Sequence, residues 1–224
     1  MLPYPEIDPV AVALGPVKIH WYGPAYLAAI TCGWWMAIVR SRNSWSPVTR
    51  EQVDDFTFYV ALGIVLGGRF GYSIFYGAEK IAQDPTWLLR VWEGGMSFHG
   101  GFLGVMFAMY LFHRRHDIPF WRLMDFVAPL VPLGLGLGRL GNFIGQELWG
   151  RPSDVPWAMV FPQDPLQLAR HPSQLYQFAL EGLLLFVILL WFSSRPRPTW
   201  AVSGVFSLGY GCFRFFVEFF REPD

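Results

Sequence analysis

Three arginines stand where the sequence is otherwise apolar: Arg69, Arg139 and Arg214. Arg139 belongs to the run Gly134-Leu-Gly-Leu-Gly-Arg-Leu-Gly-Asn-Phe143, and on a helix Asn142, three residues on, shares its face. Arg214 and Glu218 are four apart, so they also share a face and could pair. Glu147 and Glu181 are further acids near or within apolar stretches. His99 lies in Gly94-Gly-Met-Ser-Phe-His-Gly-Gly101, where glycines on both sides allow close approach of a substrate. A guanidinium grips phosphate through two parallel N–H donors and never loses its charge. Imidazole accepts a proton near neutral pH. Together these groups suit an anionic lipid headgroup, and the residues alone point to an enzyme or a transporter handling a phospholipid or similar anion. Taken singly, each has a plainer explanation: an internal ion pair for an arginine, a satisfied structural role for His99. For Arg69, between Gly67, Gly68 and Gly71 near one end of its run, snorkelling or pairing is sufficient. The sequence has no metal-ligand spacing, no Gly-x-Ser-x-Gly elbow and no phosphate loop, since Gly-Leu-Gly-Leu-Gly follows no strand.

The elements that must position these groups are membrane spans. Of 224 residues, 53% are hydrophobic, 18% aromatic and only 15% charged. A water-soluble domain of this size carries about 25% charged residues. Seventeen basic and 17 acidic residues cancel, which leaves no global field to attract nucleic acid. The two cysteines, Cys32 and Cys212, both inside apolar runs, exclude a disulfide scaffold. Runs near the ~20 residues needed to cross a bilayer extend over Ile19 to Val39, Phe56 to Tyr76, Phe98 to Phe112, Phe126 to Phe143, Leu175 to Phe192 and Ala201 to Phe220. Trp87-Leu-Leu-Arg-Val-Trp92 is too short to span and reads as interfacial. The N-terminal segment, proline-rich and without a basic residue, is not a signal peptide and reads as lying outside the bilayer. Arg40, Arg42, Arg50, Arg114, Arg115, Arg122, Arg195 and Arg197 fall in loops on one side, which marks that side as cytoplasmic and puts the N-terminus outside. Glycines four apart, as in Gly63, Gly67 and Gly71 or Gly100 and Gly104, are the small-residue spacing that lets helices approach closely. Gly134 to Gly145, preceded by Pro129 and Pro132, reads instead as a poor continuous helix whose backbone lines a cavity.

Five strings resemble the prolipoprotein diacylglyceryl transferase family. They are His20-Trp-Tyr-Gly23, Gly94-Gly-Met-Ser-Phe-His-Gly-Gly101, Gly138-Arg-Leu-Gly-Asn-Phe143 with Glu147 and Gly150, His171-Pro-Ser-Gln-Leu-Tyr176, and Tyr210-Gly-Cys-Phe-Arg214 with Glu218. They occur in the expected order over nearly the whole chain. The resemblance implies an all-α polytopic protein of the bacterial inner membrane, with about six transmembrane helices here where the family usually has seven. It also implies a broken glycine-rich helix, short periplasmic interfacial segments and a periplasmic N-terminus. Residues 1–224 are expected to form a single membrane-embedded transferase domain lacking the family's last span. The implied reaction moves the diacylglyceryl group of phosphatidylglycerol to the lipobox cysteine thiol of a prolipoprotein signal peptide, with release of glycerol 1-phosphate and no cofactor or metal. By the same resemblance His99, Arg139, Arg214 and Glu147 are catalytic, and Arg139, Asn142, Arg214, Tyr22, Gly100, Gly101, Gly150, Glu218 and Tyr210 bind substrate. His99 is one candidate base, a glutamate or the lipid's own phosphate another. This chain departs from the family in reading Ile144-Gly-Gln146 where an asparagine is common, and in a short Arg151 to His171 segment. A transporter or flippase for an anionic phospholipid would use the same buried arginines, but no repeat pairs the two halves of the chain.

Overall fold

The computed structural model describes residues 2–223 apart from Glu6, Pro9, Gly15, Pro16 and residues 91–93. The chain is mostly helical and divides into two units, residues 38–124 and residues 1–37 with 125–224. Among the described residues, three helical rods are long and apolar enough to cross a membrane: Arg50–Tyr76, Phe120–Ile144 and Ser173–Phe192. Their outward faces are apolar, with Phe58, Phe75, Leu183 and Trp191 all more than half exposed. That is the inverse of a water-soluble surface and fits hydrocarbon as solvent.

In the first unit α2 (Arg50–Tyr76) packs along α4 (Phe98–His116). The glycine spacing makes this possible. A Cβ on Gly63 would lie 2.6 Å from the carbonyl oxygen of Gly104, and one on Gly67 would lie 2.7 Å from the Gly104 Cα. The two backbones are in contact, with Gly71 and Gly100 extending the seam. Where glycines give way to larger residues, Phe112 fills the interface, edge-on to Phe56 and Tyr59. Between these helices the chain forms α3 (Ala78–Gln83) and a 3-10 turn, Pro85–Leu89, which contains Trp87, while Val91 and Trp92 of the expected interfacial segment lie outside the described residues. Arg69 does not snorkel. It is buried, stacks 4.2 Å from the Trp87 ring, and donates to the carbonyls of Trp87, Leu88 and Gly94. Its charge serves to fold the loop leading into α4.

The second unit opens with β1 (Leu2–Pro3) and a hairpin of β2 (Val10–Leu14) and β3 (Val17–His20). Ile19, expected in the first span, is in β3, and α1 begins at Tyr22 and runs to Ser41. The rod Phe120–Ile144 comprises α5 (Phe120–Val127), a 3-10 turn at Ala128–Leu130 and α6 (Val131–Ile144). The expectation of a broken glycine-rich helix is thus corrected: Gly134 to Phe143 is regular helix, and the irregular turn sits ahead of it at Pro129. Proline at the start of a helical turn loses no hydrogen bond, and the glycines continue the helix because neighbouring helices bury one side of it. After β4 (Met159–Val160) and β5 (Ala169–Arg170) comes the rod Ser173–Phe192: α7 (Ser173–Gln177), a π-helical stretch Phe178–Leu184, and α8 (Leu185–Phe192). The final helix is α9 (Ala201–Glu218). Asp125 caps it, accepting from the backbone N–H of Trp200 at 2.7 Å and of Ser203 at 2.8 Å.

The glycine seam makes a direct prediction. Gly104→Ala drives a methyl into the α2 backbone and lowers stability by about 1–3 kcal/mol, seen as a fall in the thermal midpoint of the detergent-solubilised protein. Gly33→Ala, whose Cβ meets open space, leaves the midpoint unchanged or slightly raised.

Candidate active site

The polar residues of the second unit converge from three elements: α6, α9 and the rod containing the π-helical stretch. Gly136 and Gly182 bring α6 against that rod, since a Cβ on Gly182 would lie 2.7 Å from the Gly136 Cα. Arg139 stands one turn beyond this contact. Its Nη1 makes a long hydrogen bond, 3.5 Å, to Asn142 Oδ1, and Asn142 Nδ2 donates to Glu147 at 3.2 Å. Arginine, amide and carboxylate therefore form one chain of donors and acceptors. On α9 the spacing of four puts Tyr210, Arg214 and Glu218 on one face. Arg214 Nη2 lies 2.9 Å from Glu218 Oε2, and Arg221 Nη1 reaches the same oxygen at 3.1 Å. The guanidinium of Arg139 feels the charges of Glu181, Arg214 and Arg221 and the phenol of Tyr210. One acid thus bridges two arginines, whose guanidinium donors are of the kind that suits a phosphate.

Glu147 is held on an unusual backbone. Its neighbours Gln146 and Leu148 both have φ of 55°, a left-handed conformation that side chains other than glycine rarely adopt. The strain is locked by hydrogen bonds. Gln146 Oε1 accepts from Gln163 N at 2.9 Å, Gln174 Nε2 donates to the Glu147 carbonyl at 2.6 Å, and Ser173 Oγ donates to the Leu148 carbonyl. Gly150 lies beyond, and a Cβ there would be 2.7 Å from His171 Cβ. Its N–H donates to the His171 carbonyl at 2.9 Å, and the Arg151 N–H to the Phe220 carbonyl at 2.9 Å, so this glycine joins the ends of α6, α7 and α9. Tyr4 donates to the Phe143 carbonyl at 2.8 Å and closes the end of α6.

Of the residues singled out in the sequence, Arg139, Asn142, Glu147, Gly150, Tyr210, Arg214 and Glu218 all fall in this unit. Tyr22 opens α1, and its side chain lies outside the described residues. His99, Gly100 and Gly101 belong to the other unit. His99 is exposed in the first turn of α4, whose start is capped by Ser97, which accepts from the Gly100 N–H at 3.2 Å. Gly100 faces the backbone of Gly67 and Gly71, whereas a Cβ on Gly101 would meet only ordinary contact, 3.6 Å from the Ile64 carbonyl. No group of three or more His, Cys, Asp or Glu side chains that could hold a metal occurs among the described residues.

Comparison with known proteins accords with this geometry. The family model described as prolipoprotein diacylglyceryl transferase matches residues 9–224. A protein of Ectopseudomonas mendocina named phosphatidylglycerol–prolipoprotein diacylglyceryl transferase is 61% identical over all of this chain and 84% of its own length. Proteins of the same name from Azotobacter vinelandii and Pseudomonas fluorescens are 60% and 59% identical, with the same coverage. The chain belongs to the prolipoprotein diacylglyceryl transferase family.

This diacylglyceryl transferase relative carries features around its site that have no clear sequence signal. Gln174 and Gln177 are fully buried on the rod beside α6, yet an amide in an apolar run looks like any polar surface residue. The π-helical stretch that follows them has no compositional marker. The segment over the helix ends is held by Asp164 and Arg170, both buried, with Arg170 Nε 2.6 Å from Asp164 Oδ2 and Nη1 2.9 Å from Glu222. His171 is held near Phe220, its Nδ1 3.0 Å from the Tyr176 hydroxyl, and burial lowers its pKa so that the neutral ring is favoured.

The Arg170 hydrogen bond holds the Asp164 carboxyl below the usual carboxylate range, against the opposing effect of burial. A carboxyl whose pKa is lower folded than unfolded adds stability that is full above the unfolded value and is lost as pH falls through the folded one. The thermal midpoint is therefore expected to fall as pH drops below about 4. Asp164→Asn should remove this part of the acid sensitivity and lower stability near neutral pH by about 3 kcal/mol, because Arg170 loses a buried partner.

Proposed function

We propose that this protein transfers the diacylglyceryl group of phosphatidylglycerol to the cysteine thiol of a prolipoprotein lipobox. The observation that carries the reading is a pair of arginines, Arg139 on α6 and Arg214 on α9, two helices that both pack against the rod Ser173–Phe192, in a chain of this family. In the reaction a carbon–sulfur bond forms at the glycerol carbon next to the phosphate. The carbon–oxygen bond to that phosphate breaks and its electron pair leaves with glycerol 1-phosphate, giving a thioether. The thiol proton goes to a base and from there to solvent or the departing phosphate.

Charge on the phosphate rises as the carbon–oxygen bond lengthens. Arg139 and Arg214 therefore bind the transition state more tightly than bound lipid, and this difference is what accelerates a reaction. Glu147, acting through Asn142, orients Arg139, and Glu218 orients Arg214. Tyr210 adds a phenol on the Arg214 face, and Gly150 holds the helix ends together over the site. His99, which lies in the other unit, is one candidate base by its chemistry, and a glutamate or the lipid's own phosphate is another. Neither Cys32 nor Cys212 serves as nucleophile, because the substrate brings the thiol. The chain acts as one membrane-embedded transferase domain with six spans in the bacterial inner membrane, its N-terminus periplasmic and its protein substrate a signal peptide. Apolar helices, the loop arginines and the family support that placement.

The test is mass spectrometry of a lipobox peptide incubated with the protein in phosphatidylglycerol liposomes. A diacylglyceryl adduct is expected with the wild type and is expected to fall by at least about a hundredfold with Arg139→Ala. An adduct formed equally by both would remove Arg139 from the chemistry.

A further inference from the structure

Five polar atoms on one side of the rod Ser173–Phe192 are enclosed and have no hydrogen-bond partner among the described residues. They are Gln174 Oε1, both amide atoms of Gln177 and both carboxylate oxygens of Glu181. The three side chains are entirely buried. Positions 174, 177 and 181 lie on one helix face, and the π-helical stretch that begins at Phe178 widens the turn carrying Glu181. Arg214 Nη1 is likewise enclosed with no hydrogen-bond partner among the described residues. Buried polar groups left unmet cost about 1–3 kcal/mol each, so this face carries hydrogen-bonding capacity that the described residues leave unused.

The unmet atoms define the chemistry of the occupant. Gln174, Gln177 and Glu181 present four acceptor oxygens against a single amide donor. Such a set calls for a ligand rich in O–H donors. Arg139 and Arg214, whose charges Glu181 feels, call for an anion beside it. Hydroxyls next to a phosphate satisfy both, and the headgroup of phosphatidylglycerol carries two.

We propose that Gln174, Gln177 and Glu181 are specificity-determining residues that receive the hydroxyls of the glycerol headgroup while Arg139 and Arg214 hold its phosphate. The assignment rests on the proposed function. Discrimination against a headgroup without hydroxyls follows from it. A donor lipid lacking them leaves unmet the oxygens to which the two hydroxyls would donate, whereas an apolar pocket treats the two lipids nearly alike.

The experiment compares phosphatidylglycerol with phosphatidylpropanol, the same lipid without headgroup hydroxyls, for the full chain and for Gln177→Leu and Glu181→Gln. Adduct formation gives kcat/KM for each donor, and native mass spectrometry from nanodiscs gives the retention of each lipid. The wild type is expected to prefer phosphatidylglycerol at least a hundredfold, and each substitution to reduce that ratio at least tenfold. A variant that still retains phosphatidylpropanol is folded, so a collapsed ratio in it reports recognition. Substitutions that slow both donors equally, or change neither, overturn the proposal. A wild type that retains phosphatidylglycerol selectively yet forms no adduct supports the headgroup assignment and removes the transfer reaction instead. A wild type that neither retains it selectively nor reacts removes both.

Discussion

A guanidinium cannot give up its proton, so an arginine inside an apolar bundle must be met by counter-charge or by carbonyls. The rest of this structure follows from how that requirement is met. Arg69 is surrounded by backbone oxygens and becomes the centre of a loop. Arg139 and Arg214 are met differently. Arg214 shares Glu218 with Arg221, and Arg139 reaches Glu147 only through an amide. Their guanidinium donors are of the kind an anionic lipid can use. The same physics thus yields a structural arginine in one unit and, in the proposed reading, arginines for binding in the other.

Holding such a cluster demands close backbones. At Gly136 and Gly182 two helices touch, and at Gly150 three helix ends are joined through a residue with no side chain. The left-handed backbone at Gln146 and Leu148 stores strain beside Glu147, and partly buried hydrogen bonds from Gln163, Ser173 and Gln174 hold it there. Position is fixed from outside the site, by the segment that Asp164 and Arg170 anchor.

Much of this was legible from spacing, because a helix writes its faces into the sequence with a period near four. Gly63, Gly67, Gly71, Gly100 and Gly104 announced a close helix pair, and Arg214 with Glu218 announced an ion pair. What spacing cannot show is the partner on another element. Gly134 and Gly138 share the same period yet face open space, while Gly136, which fits no such pattern, makes the contact with Gly182. The glycine run looked too weak for a helix because local propensity ignores the neighbours that bury it. Gln174, Gln177 and the π-helical turn were illegible for a related reason: their meaning lies in being fully enclosed. The β2–β3 hairpin was masked by its apolar residues, which continue into the first helix.

The central claim is that the arginines stabilise the departing phosphate more than they bind the resting lipid. Single-turnover kinetics of Arg139→Lys in liposomes, with lipid affinity measured on the same preparation, tests it most directly. Lysine keeps the charge but loses the two-pronged grip. The account predicts a chemical step at least about tenfold slower with affinity for phosphatidylglycerol changed by less than about threefold. An affinity that falls while the chemical step is unaltered would contradict it, and would make Arg139 a binder of the lipid rather than of the transition state.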